Sequence, residues 1–170
     1  MDRKKGWGKS KKVILISDKV DFKRRAIKRD PEGHFIILKG RIHQEDINVV
    51  NTYAPKIGAP KYIRKILEDF KNDIDSNILI LGDFNAPLSK MDRSSKQNIN
   101  KDIVASNNVL DQMDLTDAYR NFHPKEAKYT FFSNAHGTFP KIDHMIGQKT
   151  ASTNSRKLKS YQAFSLTTRD

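Results

Sequence analysis

Short apolar runs separated by polar turns recur along this chain, and their spacing predicts a succession of strands and helices. Residues 13–16 form a compact apolar run that is typical of a buried strand. Residues 34–38 and 47–53 are also strand-like, and segment 40–46 is available to connect them as an antiparallel hairpin. Further short strands are predicted at 77–81, 129–133 and 141–146.

Two segments carry apolar residues at helical spacing. Residues 61–74 predict a helix whose apolar face consists of Tyr62, Ile63, Ile66, Leu67, Phe70 and Ile74. Residues 100–113 predict a second helix with Ile103, Val104, Leu110 and Met113 on one side. A turn is predicted at 30–33. Paired strands with helices between them favour a mixed α/β sandwich over a regular βαβ alternation.

The 170 residues fit one domain that is large enough to bury a core. Segment 1–12 contains six Lys or Arg residues and is expected to be a disordered start. Segment 13–147 is expected to form a partial domain. Segment 148–170 turns polar and is expected to be a poorly ordered tail.

The charge balance favours a polyanionic partner. There are 32 Lys and Arg against 20 Asp and Glu, giving a net charge of +12, and basic residues that neutralise phosphates release counterions. A solvated basic surface is the alternative. The chain has no cysteine, which excludes disulfides and thiolate metal sites. It also lacks a membrane-spanning apolar run and a secretory signal pattern, so an intracellular, nuclear or cytoplasmic protein is expected.

The sharpest chemical signal is Gly82-Asp83-Phe84-Asn85, which follows a buried apolar run. At a spacing of two, Asp83 and Asn85 are expected to project the same way from the strand end. A carboxylate there can hold Mg²⁺ or act as an acid or base, and the amide can donate to a phosphate oxygen. The alternative is that both residues merely form a turn.

Two weaker signals accompany it. Asp143 lies inside a short apolar strand, where a carboxylate needs a partner such as a histidine, a metal or backbone donors. The adjacent His144 points to the opposite face of such a strand and is expected to be structural. Tyr53 ends a strand before Pro55, where a phenol can hydrogen-bond a phosphate or simply pack.

Together these motifs resemble those of the endonuclease/exonuclease/phosphatase superfamily. The matching segments are Tyr53-Ala54-Pro55, Gly82-Asp83-Phe84-Asn85 and Lys141-Ile142-Asp143-His144. Segments 51–55, 58–60, 82–88, 91–95, 123–125 and 129–133 narrow the resemblance to the endonuclease domain of mammalian long interspersed element retrotransposons, over residues 5–147. The resemblance implies an incomplete four-layer α/β sandwich of the DNase I-like, AP endonuclease-like type, with mixed, mostly antiparallel sheets.

The resemblance also implies Mg²⁺-dependent cleavage of one DNA strand. By similarity, Asp83 is the acid/base residue, Asn85 holds the scissile phosphate, Tyr53 braces it, and Asp143 orients a catalytic histidine. Asp83 and Asn85 also form an incomplete metal site. The substrate-binding positions implied in the same way are Arg93, Thr130 and Lys56.

The departures from the family concern its catalytic parts. The family's Asn-x-Asn-Gly strand and its metal-binding Glu have no counterpart upstream of Val13, and its Ser-Asp-His has none after Phe164-Ser165. Lys56 replaces an Asn, and Pro140 replaces a small polar residue. We therefore expect a domain truncated at both ends, with impaired or absent turnover.

Three alternatives stay open at this point. The chain could be a non-catalytic nucleic-acid binder that uses its basic surface alone. It could be a superfamily relative that acts on phosphoinositides or other phosphoesters, which the segments around Asp92-Arg93 and Tyr129-Thr130 argue against. It could also be a translated remnant with no molecular role.

Overall fold

A computed structural model describes residues 12–71, 77–93, 101–125, 129–130, 137, 139–152 and 164–168. Its elements, in chain order, are β1 (Lys12–Ile16), β2 (Phe22–Arg29), β3 (Phe35–Ile42), β4 (Glu45–Tyr53), α1 (Ala59–Lys71), β5 (Asn77–Asp83), α2 (Lys101–Gln112), β6 (Leu115–Asp117), α3 (Ala118–Phe122), β7 (Asp143–Gln148) and β8 (Phe164–Thr168). Short 3₁₀ turns occupy Lys90–Asp92 and Lys149–Ser152.

The main sheet has six strands in the order β2-β3-β4-β5-β7-β6. Every neighbouring pair is antiparallel except β4 and β5, which are parallel. A parallel pair needs a crossover connection, and the helix α1 lies in that connection. A second sheet pairs β1 with β8 in antiparallel register. The expected mixed, mostly antiparallel α/β architecture is confirmed.

Two hydrophobic cores cover the two faces of the main sheet, because alternate residues of a buried strand point to opposite faces. Ile37, Val50 and Ile80 pack on one face with residues of α1 and α2. Leu38, Val49 and Leu79 lie on the other face, where Ile14 and Ile16 of β1 pack against them. The described residues thus form three layers, and a fourth layer of the expected sandwich is not among them.

Several element boundaries differ from the sequence prediction. The β3–β4 hairpin closes through His43 and Gln44, whose φ values of 46° and 68° fit the tight turn that matches strand twist, so the expected 40–46 connection is too long. α1 begins at Ala59 rather than 61 because Pro60 is tolerated in a first helical turn. In α2, Val104 is exposed rather than on the buried side.

Some elements differ from the sequence prediction in more than their boundaries. β2 was not predicted, because all of its residues after Phe22 are exposed and no apolar alternation marks it. Within the segment expected to be a poorly ordered tail, Phe164–Thr168 forms β8, which pairs with β1. Tyr129 and Thr130 are not in a strand. Residues 131–133, Ile74 and the basic start at 1–11 lie outside the described residues. None of the described helices is long and apolar enough to cross a membrane.

Candidate active site

Three of the proposed site residues lie side by side on adjacent strands of the main sheet. Tyr53 of β4 pairs with Asp83 of β5, and Asp83 pairs with Asp143 of β7. Paired residues on neighbouring strands present their side chains on the same face, at a strand spacing of about 4.8 Å. We call Tyr53, Asp83 and Asp143 the carboxylate row. All three are partly buried, so the row faces solvent at one end of the sheet.

Asn85 is placed beside the row by a turn that follows β5, and not by the alternation of side chains along the strand. The Asp83 Oδ1 accepts the backbone N–H of Asn85 at 2.9 Å, and Asn85 has a left-handed φ of 46°. The Asn85 Nδ2 donates to the Ala54 carbonyl at 2.6 Å. The expectation that Asp83 and Asn85 project the same way from one strand is therefore wrong, because β5 ends at Asp83. The turn nevertheless holds Asn85 against the chain segment that follows Tyr53.

Gly82 allows the close approach of β4 and β5 behind the row. It has φ of 153°, and a Cβ added there would lie 1.9 Å from the Thr52 carbonyl oxygen. No side chain fits in that space without moving the backbone of β4. The glycine before Asp83 is therefore required by the packing of the strand that carries the site.

Thr130 positions the backbone of the third strand. Its Oγ1 accepts the backbone N–H groups of Ile142 at 3.0 Å and Asp143 at 3.3 Å. The backbone N–H of Thr130 donates to the Pro140 carbonyl at 3.2 Å. Thr130 thus lies beside the row, and its exposed side chain fixes the start of β7. Among the described residues, no histidine contacts the Asp143 side chain.

Arg93 and Lys56 occupy loops that leave the same end of the sheet. Lys56 is exposed and lies three residues after Tyr53. Arg93 is partly buried and follows the 3₁₀ turn, where its backbone N–H donates to the Lys90 carbonyl. We call segments 54–58, 84–93 and 139–142, together with Tyr129 and Thr130, the rim loops.

A buried ion pair anchors the loop that carries Arg93. Asp92 is 2% exposed and accepts hydrogen bonds from the backbone N–H groups of Leu88 and Ser89. Its other carboxylate oxygen is paired with the Arg120 guanidinium of α3. The Asp92 carbonyl accepts the backbone N–H of Lys141 at 2.7 Å. The loop after β5 is therefore fixed to the segment before β7.

His144 belongs to a second buried charge cluster on the opposite face of β7. It is 1% exposed, its Nδ1 lies 3.1 Å from Asp117 Oδ2, and its Nε2 lies 3.0 Å from the Ala86 carbonyl oxygen. Lys141 Nζ donates to the same Asp117 oxygen at 2.6 Å. Burial raises the pKa of Asp117, but the hydrogen bond from His144 and the charges of His144 and Lys141 outweigh it and lower the pKa to about 2. The expected structural placement of His144 agrees with this geometry.

Asn51 lies behind the row, two residues before Tyr53 on the same face. It is fully buried, and its Nδ2 donates to the Val13 carbonyl at 2.7 Å, which ties β4 to β1. Its Oδ1 has no hydrogen-bond partner among the described residues. A buried amide oxygen without a partner is rare in proteins.

The oxygen donors at the row fit a hard cation only in part. Mg²⁺ typically uses one or two carboxylates, several waters and the oxygens of a bound phosphate. Asp83 and Asp143 supply two carboxylates at paired positions, whereas Asn85 uses its amide nitrogen to hold Ala54. Within the described ranges, no group of three His, Cys, Asp or Glu residues converges on one point. The two aspartates are thus candidate carboxylate ligands, and the bond from Asn85 Nδ2 to Ala54 leaves the Asn85 Oδ1 as a further candidate oxygen.

The supporting residues were the part of the site that sequence reasoning missed. Asp92, Asp117, Arg120 and Asn51 bond to the loops and strands around the row. Asp117 had a local signal, since it accepts from the backbone N–H groups of Tyr119 and Arg120 as the N-cap of α3. Asp92 had one as well, since Ser89 and Asp92 form a capping box around the 3₁₀ turn. The bonds of Arg120 to Asp92 and of Asn51 to Val13 join residues distant in sequence, so spacing alone does not reveal them.

The chain is similar in structure to several nucleases. An AP endonuclease from Archaeoglobus fulgidus matches with a TM-score of 0.56 and 19% identity, over 81% of this chain and 60% of that one. The endonuclease domain of the telomere-specific non-LTR retrotransposon TRAS1 matches at 0.54 and 13%, over 81% and 67%. The APE2 catalytic domain of Xenopus laevis matches at 0.55 and 18%, over 73% and 48%. The chain thus spans 60% of the AP endonuclease that it resembles. No family model matches the sequence.

Proposed function

We propose that this chain is a retrotransposon-type endonuclease domain. It binds DNA at the carboxylate row and hydrolyses the DNA slowly or not at all. The proposal is supported by the fold, which is that of the DNase I-like endonuclease/exonuclease/phosphatase superfamily. The observation that carries this proposal is the adjacency of Tyr53, Asp83 and Asp143 on three paired strands. It is supported by the net charge of +12, which favours binding to a phosphate backbone.

The row, Asn85 and the rim loops together offer a phosphodiester three kinds of contact. Asp83 can accept a proton from an attacking water or donate one to the leaving oxygen. The Tyr53 hydroxyl can donate to a phosphate oxygen. The second N–H of the Asn85 side chain can also donate to a phosphate oxygen, and its direction is set by the bond that the same nitrogen makes to the Ala54 carbonyl. Arg93 and Lys56 add positive charge along the rim loops, where a DNA backbone would pass.

A bound Mg²⁺ would neutralise phosphate charge at the row. Asp83 and Asp143 are the residues that would hold it, together with oxygens of the DNA. Slow turnover is proposed because, within the described ranges, no group of three His, Cys, Asp or Glu residues is placed to hold a metal ion. Losing one group of a preorganised catalytic site typically costs about 10²–10³ in rate.

The test measures DNA binding and strand nicking separately. Fluorescence anisotropy with a labelled duplex, at fixed ionic strength with and without Mg²⁺, should show tighter binding with Mg²⁺ for the natural chain. Asp83→Asn should remove that Mg²⁺ response. Asp69→Asn is the matched control, because Asp69 is an exposed carboxylate on α1. Nicking of supercoiled plasmid should stay close to background.

The outcomes separate the components of the proposal. Absence of DNA binding would overturn the function as a whole. A DNA affinity that is unchanged by Mg²⁺ and by Asp83→Asn would overturn the role of the row. Rapid nicking that Asp83→Asn abolishes would overturn only the proposal that hydrolysis is slow or absent.

A second candidate function is non-catalytic binding of nucleic acid through β2. This edge strand exposes Lys23, Arg24, Arg25, Lys28 and Arg29. Arg25 and Arg41 are partly neutralised by Asp46, whose pKa is lowered chiefly by the hydrogen bond from Arg41. Binding through β2 would respond to substitution of Arg24 and Arg29 and not to Asp83→Asn.

A further inference from the structure

A cavity of about 210 Å³ opens on the face of the main sheet that is opposite to the carboxylate row. Its lining comes from the four adjacent strands β2 to β5 and from α1, and consists of Lys28, Ile37, Lys39, Asn48, Val50, Phe70 and Ile78. We call this space the sheet cavity. Val50 and Tyr53 are three residues apart on β4, so their side chains point to opposite faces of the sheet. The sheet cavity is therefore separate from the candidate active site.

The deep part of the sheet cavity is apolar. Ile37, Val50 and Ile78 are each 5% exposed or less, and they belong to the hydrophobic core on the α1 side of the sheet. Phe70 lies in the last turn of α1, and its ring packs edge-on against Phe35 with centroids 5.5 Å apart. An apolar group that entered the cavity would therefore contact aliphatic side chains and one aromatic ring that the core already holds in place.

The mouth of the sheet cavity is cationic. Lys28 and Lys39 are exposed, and both line the cavity. Lys39 pairs with Asn48 of β4, which places an ammonium and an amide side by side on the same face. None of the described lining residues is acidic, and within the described ranges no acidic side chain is bonded to Lys39. The cavity thus combines an apolar interior with uncompensated positive charge at its entrance.

We propose that the sheet cavity binds a small aromatic carboxylate, with its ring against Val50 and Phe70 and its carboxylate on the Lys39 ammonium. The charge at the mouth favours an anion, and the ring of Phe70 favours an aromatic over an aliphatic body. Small-molecule sites typically combine an apolar lining with a few polar groups that fix the orientation of the ligand. This inference does not depend on the proposed DNA-binding function.

The volume of the cavity limits the size of the ligand. An apolar protein cavity of about 150 Å³ holds one benzene ring. The sheet cavity, at about 210 Å³, therefore has room for one ring and a short substituent. A ligand of this size can bury its ring and still leave its carboxylate at the mouth, where Lys39 lies. Larger apolar bodies, such as a long acyl chain or a helix of another protein, do not fit in this space.

The experiment uses 4-ethylbenzoate as the probe and follows the backbone amide signals of the whole isotope-labelled chain by NMR. Saturable shifts of the Ile37, Val50 and Ile78 signals are expected. The uncharged 4-ethylbenzamide should bind about fivefold more weakly, because it lacks the ion pair with Lys39. Acetate has the charge but no ring to bury, and it should bind at least about tenfold more weakly.

Lys39→Glu reverses the charge at an exposed position and should weaken 4-ethylbenzoate binding at least about fivefold while leaving 4-ethylbenzamide binding unchanged. Lys61→Glu is the matched control, because Lys61 is an exposed lysine in the first turn of α1 and does not line the cavity. It should leave the affinity for both compounds unchanged.

Four results would overturn the proposal. They are the absence of saturable shifts at millimolar 4-ethylbenzoate, equal affinity for 4-ethylbenzoate and 4-ethylbenzamide, equal effects of Lys39→Glu and Lys61→Glu, and shifts spread over the whole surface. The last result would indicate non-specific attraction of an anion to a basic protein. Asp83→Asn should leave 4-ethylbenzoate binding unchanged, and a loss of binding in that variant would also contradict the proposed place of the ligand.

Discussion

At the scale of single residues, Gly82 has the strictest steric requirement. A Cβ at this position would overlap the backbone carbonyl of Thr52. We predict that Gly82→Ala lowers the free energy of unfolding by about 3 kcal/mol, because two paired strands have to separate to admit the methyl group. Urea denaturation followed by circular dichroism measures the change.

Gly33→Ala is the control for this prediction. Gly33 also has a positive φ, of 81°, but no atom lies within 4 Å of an added Cβ. Gly33→Ala should therefore lower the free energy of unfolding only by the cost of a left-handed backbone at alanine, about 1 kcal/mol. If the two substitutions have equal effects, the close approach of β4 and β5 is not what requires Gly82.

Asp117 gives stability a defined pH dependence. Its folded-state pKa of about 2 is below the ordinary 3.8, so the stabilisation is fully present above pH 3.8 and is lost as the pH falls towards 2. We predict that Asp117→Asn lowers the free energy of unfolding by about 2 kcal/mol at pH 6 and by much less near pH 2. Urea denaturation at several pH values measures this difference.

Asparagine is chosen because it can still cap α3, so that only the charge is removed. Asp111→Asn is the matched control. Its ion pair with Lys149 is exposed, and surface pairs contribute little to stability. A pH-independent effect of Asp117→Asn would mean that its charge interactions with His144 and Lys141 are not what stabilises the fold.

The sequence predicted which residues gather at the row better than it predicted their conformations. Tyr53 and Asp83 each end an apolar run, Asp143 is the first residue of β7, and the pairing of these strand ends brings the three together at one end of the sheet. The conformation of Asn85 was not predicted, because the Asp83 side chain accepts a hydrogen bond from the Asn85 backbone N–H and the strand ends there. Side-chain-to-backbone bonds of this kind compete with strand extension, and two polar residues at a spacing of two do not reveal whether the strand continues or a turn forms.

At the scale of secondary-structure elements, β2 is a basic edge strand. Charged side chains on an edge strand prevent further strand addition, and here they also offer a row of cations to a polyanion. We predict that replacing Arg24 and Arg29 by Gln lowers the salt dependence of DNA binding by about one unit of slope per residue if β2 contacts phosphates.

Titrating DNA affinity against salt concentration measures this slope. Lys61→Gln together with Lys65→Gln is the control, since both lysines are exposed on α1. An unchanged slope in the β2 variant would remove β2 from the DNA-binding surface. A slope that changes equally in both variants would indicate non-specific attraction to the whole basic molecule.

Elements with a buried face were predictable, and exposed or very short ones were not. α1 and β3–β5 have apolar periodicity because they contribute to a core. β2 lacks it since its residues are exposed, and β6 and α3 have only three and five residues, too few for a period to emerge. β8 is held by pairing with β1, from the other end of the described chain. Such non-local pairing has no local signature.

At the scale of the whole molecule, Asn51 joins the two sheets beneath the site. Its amide bonds to the Val13 carbonyl, and it is fully buried. We predict that Asn51→Ala lowers the free energy of unfolding by about 2 kcal/mol and loosens β1 more than β3. Amide hydrogen exchange resolved by peptide measures the difference between the two strands.

Asn108→Ala is the control for this substitution, because Asn108 is exposed on α2. It should leave the exchange of both strands unchanged. Uniform acceleration of exchange in β1 and β3 after Asn51→Ala would show that Asn51 stabilises the domain globally and does not specifically hold β1.

The pairing of β1 with β8 also has a consequence for how the protein folds during synthesis. On the ribosome, β1 emerges early, but its partner is made only after all the strands of the main sheet. Until then, the face formed by Leu38, Val49 and Leu79 is covered by a β1 that lacks the strand with which it pairs. An unpaired strand edge of this kind makes a nascent chain prone to aggregate and is a reason why chaperones are needed. Pairing of β8 with β1 should therefore reduce the need for chaperones at this edge.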